Sequence, residues 1–398
     1  MLFSHSCCAP SSSDSGPEAG EAESADISSL LEMLGSVSDP RKSRGRQYPL
    51  GFVLAVCAVA TLAGAKNYAE IARRARDMPQ PLLKKLGAKW NWFALRYQWP
   101  SMSVVRSVLT GIDGDELDTI TGRWLFRQAR KDRNGEWEFA LDGKVLRGAW
   151  TDENDQVTLF SAMIHREAVT IAQVSVPGDT NEITQAAALL ERMEIPGGEP
   201  GLVTVDAAHT QHETAEDIHK NGMDYLMRAK GNQPALQRAV FGKVLPLLQG
   251  QPHDVVRERG RGYVKTWSCW ITDAEGIDFP HASQAGFIRR EVFEISGTRV
   301  SKDEALMLTS RDPGKMTASG LNRHTRNHWG IENKNHYIRD TAYREDHCQA
   351  WAGEGPRALA SLRNLAIGLL RMKGVIAIKE TTEWIAGDRM RALKFMTT

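Results

Sequence analysis

The spacing of apolar residues changes once along this chain, and that change most limits what the chain can fold into. From Asp26 to about Gln128, apolar residues recur at the three- and four-residue spacing of amphipathic helices. Near residue 136 the spacing becomes two, with Trp137, Phe139 and Leu141 at alternate positions. Three β elements and then βαβ alternation follow, which predicts a mixed α/β sheet behind an all-α region.

The same pattern divides the chain into segments. We expect an acidic disordered tail over residues 1–25, a helical domain over 26–128, an α/β domain over 129–375 with a β-rich insertion at 234–300, and a C-terminal tail over 376–398. The first 40 residues carry seven acids and no Lys or Arg, which leaves the remaining chain with a net charge of +8. This mild positive charge is compatible with a polyanionic partner but does not by itself predict one.

Cysteine usage and hydropathy exclude several classes of protein. The five cysteines form no C-x-x-C pair and are odd in number, which favours a reducing compartment over a disulfide scaffold or a zinc knuckle. The longest apolar run, residues 50–65, is shorter than the ~20 residues of a membrane span, so we predict a buried helix there. The N-terminus shows no secretion signal. We therefore expect a cytoplasmic protein with no membrane partner.

Two aspartates end predicted strands. Asp142 follows Leu141, and Asp206 follows Val205. Carboxylates at the ends of neighbouring strands can converge on a hard divalent cation. The alternative for either aspartate alone is an ordinary turn residue.

A third acid, Glu332, lies in a predicted helix. His324, His328, Glu332 and His336 are four residues apart and share one helical stripe. His324, His328 and Glu332 fit a zinc site, whereas Glu332 with the two aspartates fits an oxygen-only site. A solvated polar face is the third interpretation, and the stripe alone leaves all three open.

Basic and amide side chains accompany each acid, as a phosphodiester beside a metal ion would require. These candidates for DNA binding are Lys144 and Arg147 after Asp142, His209 after Asp206, Lys230 at the end of the next strand, and His328, Asn333, Lys334 and Arg339 around Glu332. Each is also compatible with plain surface solvation. Asp179 and Glu182 predict a capping box at the start of a helix.

Four segments together resemble a known family. They are residues 141–148 (LDGKVLRG), 203–211 (VTVDAAHTQ), 224–233 (DYLMRAKGNQ) and 328–334 (HWGIENK), and they are similar to the signature blocks of DDE insertion-sequence transposases. The group concerned includes the H-repeat-associated proteins. Residues 39–41, 48–50 and 64–65 resemble that group's helical associated domain.

The resemblance implies a ribonuclease-H-like fold, in which a mixed sheet is flanked by helices and interrupted by a β-rich insertion. It implies a catalytic triad of Asp142, Asp206 and Glu332 that holds two Mg²⁺ or Mn²⁺ ions, with Asp142 bridging them. The implied activity is metal-dependent cleavage at transposon ends and strand transfer into target DNA. It also implies a homodimer on DNA, no small-molecule cofactor, and association with the nucleoid.

The chain departs from the broader superfamily at one point: where the superfamily has Tyr, Arg and Lys around the glutamate, this sequence has Thr325, His328 and Arg339, so the charge is kept at the last position. In more distant relatives, aromatic side chains of the insertion stack on a base extruded near the cut. We expect Trp267 and Trp270 to share one face of an insertion strand, from which either could stack in this way.

The helical domain is the expected end-recognition module, with basic residues that include Arg44 and Arg46. Two alternatives remain. One is a DNA-binding protein of the same fold that no longer transposes, and the other is a zinc-dependent hydrolase built on His324, His328 and Glu332.

Overall fold

A computed structural model describes residues 27–131, 135–150, 155–195, 201–260 and 262–397. The tail predicted over residues 1–25 lies outside these ranges. Within them, no helix combines the length and apolar character needed to cross a bilayer.

The N-terminal part of the described chain is helical, as predicted. Its helices are α1 (Ser28–Gly35), α2 (Leu50–Leu62), α3 (Tyr68–Arg76), α4 (Gln80–Lys85), α5 (Met102–Gly111) and α6 (Gly114–Arg130). A short antiparallel hairpin of β1 (Trp90–Asn91) and β2 (Arg96–Tyr97) lies between α4 and α5. The run predicted as a buried helix is α2, which is enclosed along nearly its whole length because its neighbours cover every face.

One large sheet follows the helices. Its strands are β3 (Trp137–Trp150), β4 (Gln156–Ile164), β5 (Val169–Val176), β6 (Gly201–Val205), β7 (Asp224–Ala229), β8 (Asp254–Gly260), β9 (Tyr263–Asp273), β10 (Gln284–Glu294) and β11 (Arg299–Thr309). The strand order is β5-β4-β3-β6-β7-β11-β10-β9-β8. The pairs β3–β6 and β6–β7 are parallel, and the other pairs are antiparallel.

The first five strands of the large sheet, β3 to β7, form the predicted fold. They lie in the spatial order third, second, first, fourth, fifth, with the first three joined by antiparallel hairpins and the last two added in parallel. This mixed arrangement, flanked by helices, is the ribonuclease-H-like architecture. The predicted fold class is confirmed.

The β-rich insertion continues this sheet. It begins with α9 (Pro234–Val244), and its strands join the rest through the pairing of β11 with β7. The expectation that Trp267 and Trp270 share a face of β9 was wrong, because residues three apart point to opposite faces of a strand. Trp267 packs with Leu202 on one side of the sheet, and Trp270 contacts Phe287 on the other.

The remaining helices lie between and after these strands in the chain. They are α7 (Ala186–Met193), α8 (His212–Lys220), α10 (Ala318–His328), α11 (Tyr337–Thr341), α12 (Gly355–Met372), α13 (Ile378–Gly387) and α14 (Leu393–Met396). Helix α12 is buried over most of its length and contacts α2, α5, α6 and β5, so it joins the helical region to the sheet. The C-terminal tail is helical here, with Ile385 and Met396 fully buried.

A buried ion-pair triad ties these helices together. The Glu345 carboxylate accepts hydrogen bonds from Arg339 Nε at 2.7 Å and Arg363 Nη1 at 2.7 Å. Arg363 also donates to the carbonyl of Lys66 in the helical region. Arg339 has no exposed surface, so its predicted contact with DNA is corrected to a structural role. Burial alone would raise the pKa of Glu345, but the two guanidinium groups lower it to about 2.

Glu345→Gln is expected to lower the free energy of unfolding by about 3–5 kcal/mol, because two buried guanidinium groups lose their counter-charge. The pKa of Glu345 is depressed on folding, so this stabilisation is complete above about pH 4.5 and is lost as the pH falls towards 2. Urea unfolding measures the change, with the exposed Glu383→Gln in α13 as control. Equal stability of the two variants would contradict the assignment.

Candidate active site

Strand register brings the two predicted aspartates together. In the parallel pair of β3 and β6, Leu141 lies opposite Val205, and the next residues are Asp142 and Asp206. Side chains alternate between the faces of a sheet, so Asp142 and Asp206 leave neighbouring strands at one level and on one face. Apolar burial on both strands sets this register.

The predicted third acid lies on an irregular helix above the same face. Helix α10 ends at His328, a turn follows at Trp329, and the backbone forms a π-helical segment over Glu332–His336 before α11. Such π turns recur at functional sites because they change which side chains face a neighbour. Glu332 and Asp206 line one cavity of about 320 Å³.

The four-residue stripe runs alongside β3 and β6, and each histidine of the stripe has its own strand partner. His324 Nδ1 lies 3.1 Å from Glu138 Oε2 on β3, and His336 Nδ1 lies 3.4 Å from Asp142 Oδ2. His328 Nδ1 lies 2.9 Å from the hydroxyl of Thr204 on β6. The expectation that Asp142 ends a strand was wrong, because β3 continues to Trp150 after its pairing with β6 ends at Leu141. The histidine contacts hold the segment that carries Glu332 near the end of that pairing.

Carboxylates crowd around Asp142. Burial, and then the charges of Glu332, Asp206 and Glu182, raise the pKa of Asp142 to about 7. Repulsion of this kind disfavours a charged carboxylate, and a bound divalent cation would relieve it. The carboxylate oxygens of these acids are ligands that suit Mg²⁺ or Mn²⁺.

Among the residues that the structure describes, no three His, Cys, Asp or Glu side chains are already close enough to share one metal ion. This applies equally to the zinc set of His324, His328 and Glu332. Two members of the zinc set direct a ring nitrogen at Glu138 and Thr204 instead. Asp142, Asp206 and Glu332 therefore lie on the same side of the sheet, but their carboxylates are too far apart to bind one ion together.

Glu182 is a fourth acid that sequence reasoning did not place here. The predicted capping box of Asp179 and Glu182 was wrong, because the side chain of Asn181 accepts the hydrogen bond from Ile183 N at the start of a 3₁₀ turn. The Glu182 carboxylate instead lies against Gly143, where any larger side chain would collide with it. Only tertiary packing reveals this position.

Two more predicted DNA contacts are buried. Lys144 is 8% exposed and pairs with Asp340 at 2.8 Å. His209 is 1% exposed, stacks on Phe160, and lies 3.5 Å from Glu182 Oε2. Because neither side chain reaches the surface, the predicted direct contacts with DNA are corrected to buried contacts with Asp340 and Glu182.

The other predicted contacts are accessible. Arg147, Lys230, Asn333 and Lys334 are exposed, and His328 is half-buried beside Asp206 in the cavity. Lys230 also borders a wider, open groove of about 1070 Å³ that reaches Asp206. In the helical region, Arg44 is exposed, and Arg46 lies 3.5 Å from Asp39 with half of its side chain in solvent.

Sequence reasoning missed three arginines of the cavity. Arg228, Arg290 and Arg326 line it together with Lys230, and Arg290 pairs there with Asp303 at 2.8 Å. Arg326 lies over the ring of Trp267 at 5.3 Å and pairs with Glu258 at 2.6 Å. Arg228 lies in β7, Arg290 in β10 and Arg326 in α10, so no common spacing in the sequence could have pointed to all three.

The hydroxyl of Thr204 determines the tautomer of His328. It lies 3.1 Å from the carbonyl of Phe139 and 2.9 Å from both His328 Nδ1 and His165 Nε2. The carbonyl can only accept, so the hydroxyl donates to it and accepts from the two imidazoles. His328 therefore carries its proton on Nδ1 and presents the Nε2 lone pair elsewhere. Burial lowers the pKa of His328 to about 4, which keeps the ring neutral at pH 7.

Thr204→Val should populate the Nε2–H tautomer of His328, because the Nδ1–H group loses its acceptor. We also expect a loss of about 1–3 kcal/mol in stability from unpaired imidazole groups. Nitrogen-15 NMR of histidine-labelled protein reports the tautomer directly, and Thr266→Val in β9 is the matched control. An unchanged His328 spectrum would refute the hydrogen-bond assignment.

Two family models match the chain. The model described as DDE_Tnp_1-associated matches residues 31–125, and the model described as Transposase DDE domain matches residues 134–369. The protein named "H repeat-associated putative transposase YhhI" of Escherichia coli (strain K12) is 26% identical over 361 residues, which cover 87% of this chain and 91% of that protein. "Putative transposase YncI" of Escherichia coli O157:H7 is 24% identical over 359 residues, covering 87% and 88%. The chain therefore belongs to the DDE transposase family, in the group that includes the H-repeat-associated proteins.

Proposed function

We propose that this chain is an active transposase that cuts DNA at the ends of a transposon and joins the freed strands to target DNA. Asp142, Asp206 and Glu332 are the proposed catalytic acids. The observation that carries the proposal is the pairing of Leu141 with Val205, which sets the two aspartates side by side below the segment of Glu332.

The proposed cofactor is Mg²⁺ or Mn²⁺, two ions per site, held by these three acids. Bound ions of this kind activate the attacking hydroxyl and stabilise the leaving oxygen of a phosphodiester. The raised pKa of Asp142, caused by burial and by acidic neighbours, supports a place for positive charge beside it.

The protein's own cations are proposed to position the DNA. Arg228, Lys230, Arg290 and Arg326 line the same cavity as Asp206 and Glu332, where they can contact phosphates near the cut. His328 contributes differently, because its neutral ring offers a lone pair at Nε2 rather than a donor. That lone pair can accept a proton or a hydrogen bond from a nucleophile.

Trp267 is proposed to stack on a base near the cut. It lines the same cavity as Asp206 and Glu332, which supports the idea. Trp267 is 6% exposed and lies under Arg326, so base stacking requires this arginine to move aside. Trp270 lies on the opposite face and is not part of this proposal.

The helical region is proposed to recognise the transposon end, and two chains are proposed to act together on a pair of ends. A non-transposing DNA-binding protein of the same fold is the second candidate. Retention of Asp142, Asp206 and Glu332 favours the active enzyme over that candidate.

Asp142→Asn is expected to reduce DNA cleavage by roughly 10³-fold or more, because one carboxylate charge at the centre of the site is lost. DNA binding is expected to persist. The test incubates purified protein with Mg²⁺ and a labelled duplex that carries the end of the encoding element, and follows nicking and strand transfer on denaturing gels. The control is Asp217→Asn on the surface of α8.

Full cleavage by Asp142→Asn would refute the site. DNA binding without cleavage by the unmodified chain would instead favour the second candidate.

Arg44→Gln is expected to weaken binding to end DNA and to reduce the slope of log affinity against log salt by about 1, as one phosphate contact is lost. Fluorescence anisotropy over a series of salt concentrations measures the slope. Arg166→Gln is the matched control, since Arg166 is also exposed but lies in the turn after β4. An identical slope for both variants would exclude Arg44 from the interface.

A further inference from the structure

The hairpin of β1 and β2 presents large apolar side chains to solvent. At its tip, Trp92 is 80% exposed, Phe93 102% and Leu95 71%. Contiguous exposed apolar groups of this size mark interaction surfaces rather than ordinary surface. No element of the described chain covers them.

The tip is held in one shape by its own polar contacts. Asn91 Oδ1 accepts hydrogen bonds from the backbone N–H groups of Phe93 at 2.9 Å and Ala94 at 2.8 Å. At the base, the Gln80 side chain exchanges two hydrogen bonds with the backbone of Tyr97, at 2.6 and 3.2 Å. The apolar groups are therefore projected outward by a structured turn.

The sequence on both sides of this hairpin carries positive charge only. No acidic residue occurs between Asp77 and Asp113, while the same interval carries Lys84, Lys85, Lys89, Arg96 and Arg106. Four of these are exposed and form no ion pair among the described residues: Lys84, Lys89, Arg96 and Arg106. Arg96 lies over the ring of Trp99 at 4.8 Å, which keeps its charge beside the hairpin.

We propose that this hairpin is an apolar wedge that inserts between base pairs of duplex DNA, while the flanking cations contact the phosphates. The proposal rests on the proposed DNA-cutting function. Proteins that kink DNA insert side chains such as Phe or Leu between base steps and surround them with basic residues. Here the exposed tip supplies the apolar side chains to insert, and the flanking cations supply the basic residues.

Charge argues against a second copy of this chain as the occupant, and the family match argues for DNA over a membrane. A second copy of this hairpin would place like charges against each other, which opposes self-association through this surface. An anionic membrane would match the charge, but the hairpin lies within residues 31–125, which match the transposase-associated family model. The wedge therefore faces DNA.

The test compares the full chain with a Trp92→Ser, Phe93→Ser double variant on a fluorescein-labelled duplex that carries the end of the encoding element. A second duplex carries 2-aminopurine in place of single adenines to report unstacking. The double variant is expected to bind about 10-fold more weakly, since stacking on a base is worth that much. It should also lose the 2-aminopurine signal, with an unchanged salt slope because the cations remain.

Ile376→Ser is the matched control, since Ile376 is 84% exposed but lies outside the hairpin. Circular dichroism checks that each variant folds. The single variant Phe93→Leu, which keeps an apolar side chain at the tip, should retain most of the DNA affinity of the unmodified chain. Equal affinity and equal unstacking for the double variant and the full chain would overturn the wedge while leaving the cleavage proposal intact. If the unmodified chain binds no DNA, both proposals fail.

Two other outcomes would also overturn the wedge. The double variant could lose a dimer seen by light scattering, or lose binding to phosphatidylserine vesicles, with its DNA affinity unchanged.

Discussion

The parallel pairing of β3 with β6 is the constraint on which the rest of the site depends. Its register places Leu141 opposite Val205, so two carboxylates leave the sheet together. A slip of one residue would turn Asp142 or Asp206 to the opposite face. The register is secure because a slip would remove Val203 and Val205 from the apolar layer that they share with Phe139 and Leu141 and would bring Leu202 into it from the opposite face.

The histidine stripe then places the third acid relative to those two. His324 and His328 contact Glu138 and Thr204, side chains that lie on the same pair of strands as the aspartates. Buried polar contacts of this kind cost free energy unless they are satisfied, and when satisfied they specify one arrangement. The stripe thus aligns the helix with the sheet, and Glu332 follows from that alignment.

Much of this could be predicted from the sequence, and the failures have identifiable physical causes. The change from helical to alternating spacing predicted the order of elements, since spacing directly records which face is buried. The tautomer of His328 and the position of Glu182 could not be predicted, because both depend on contacts between distant segments. Arg339 was predicted to be a surface cation because its partner Glu345, six residues further on, carries no spacing signal.

The central claim is that Asp142, Asp206 and Glu332 form one binding site for divalent cations. Anomalous diffraction from crystals of the full chain soaked in MnCl₂ tests it most directly. If the three acids form one site, we expect two manganese peaks, both ligated by these carboxylates and with Asp142 between them. Manganese bound at other side chains, with the three acids free of metal, would contradict it.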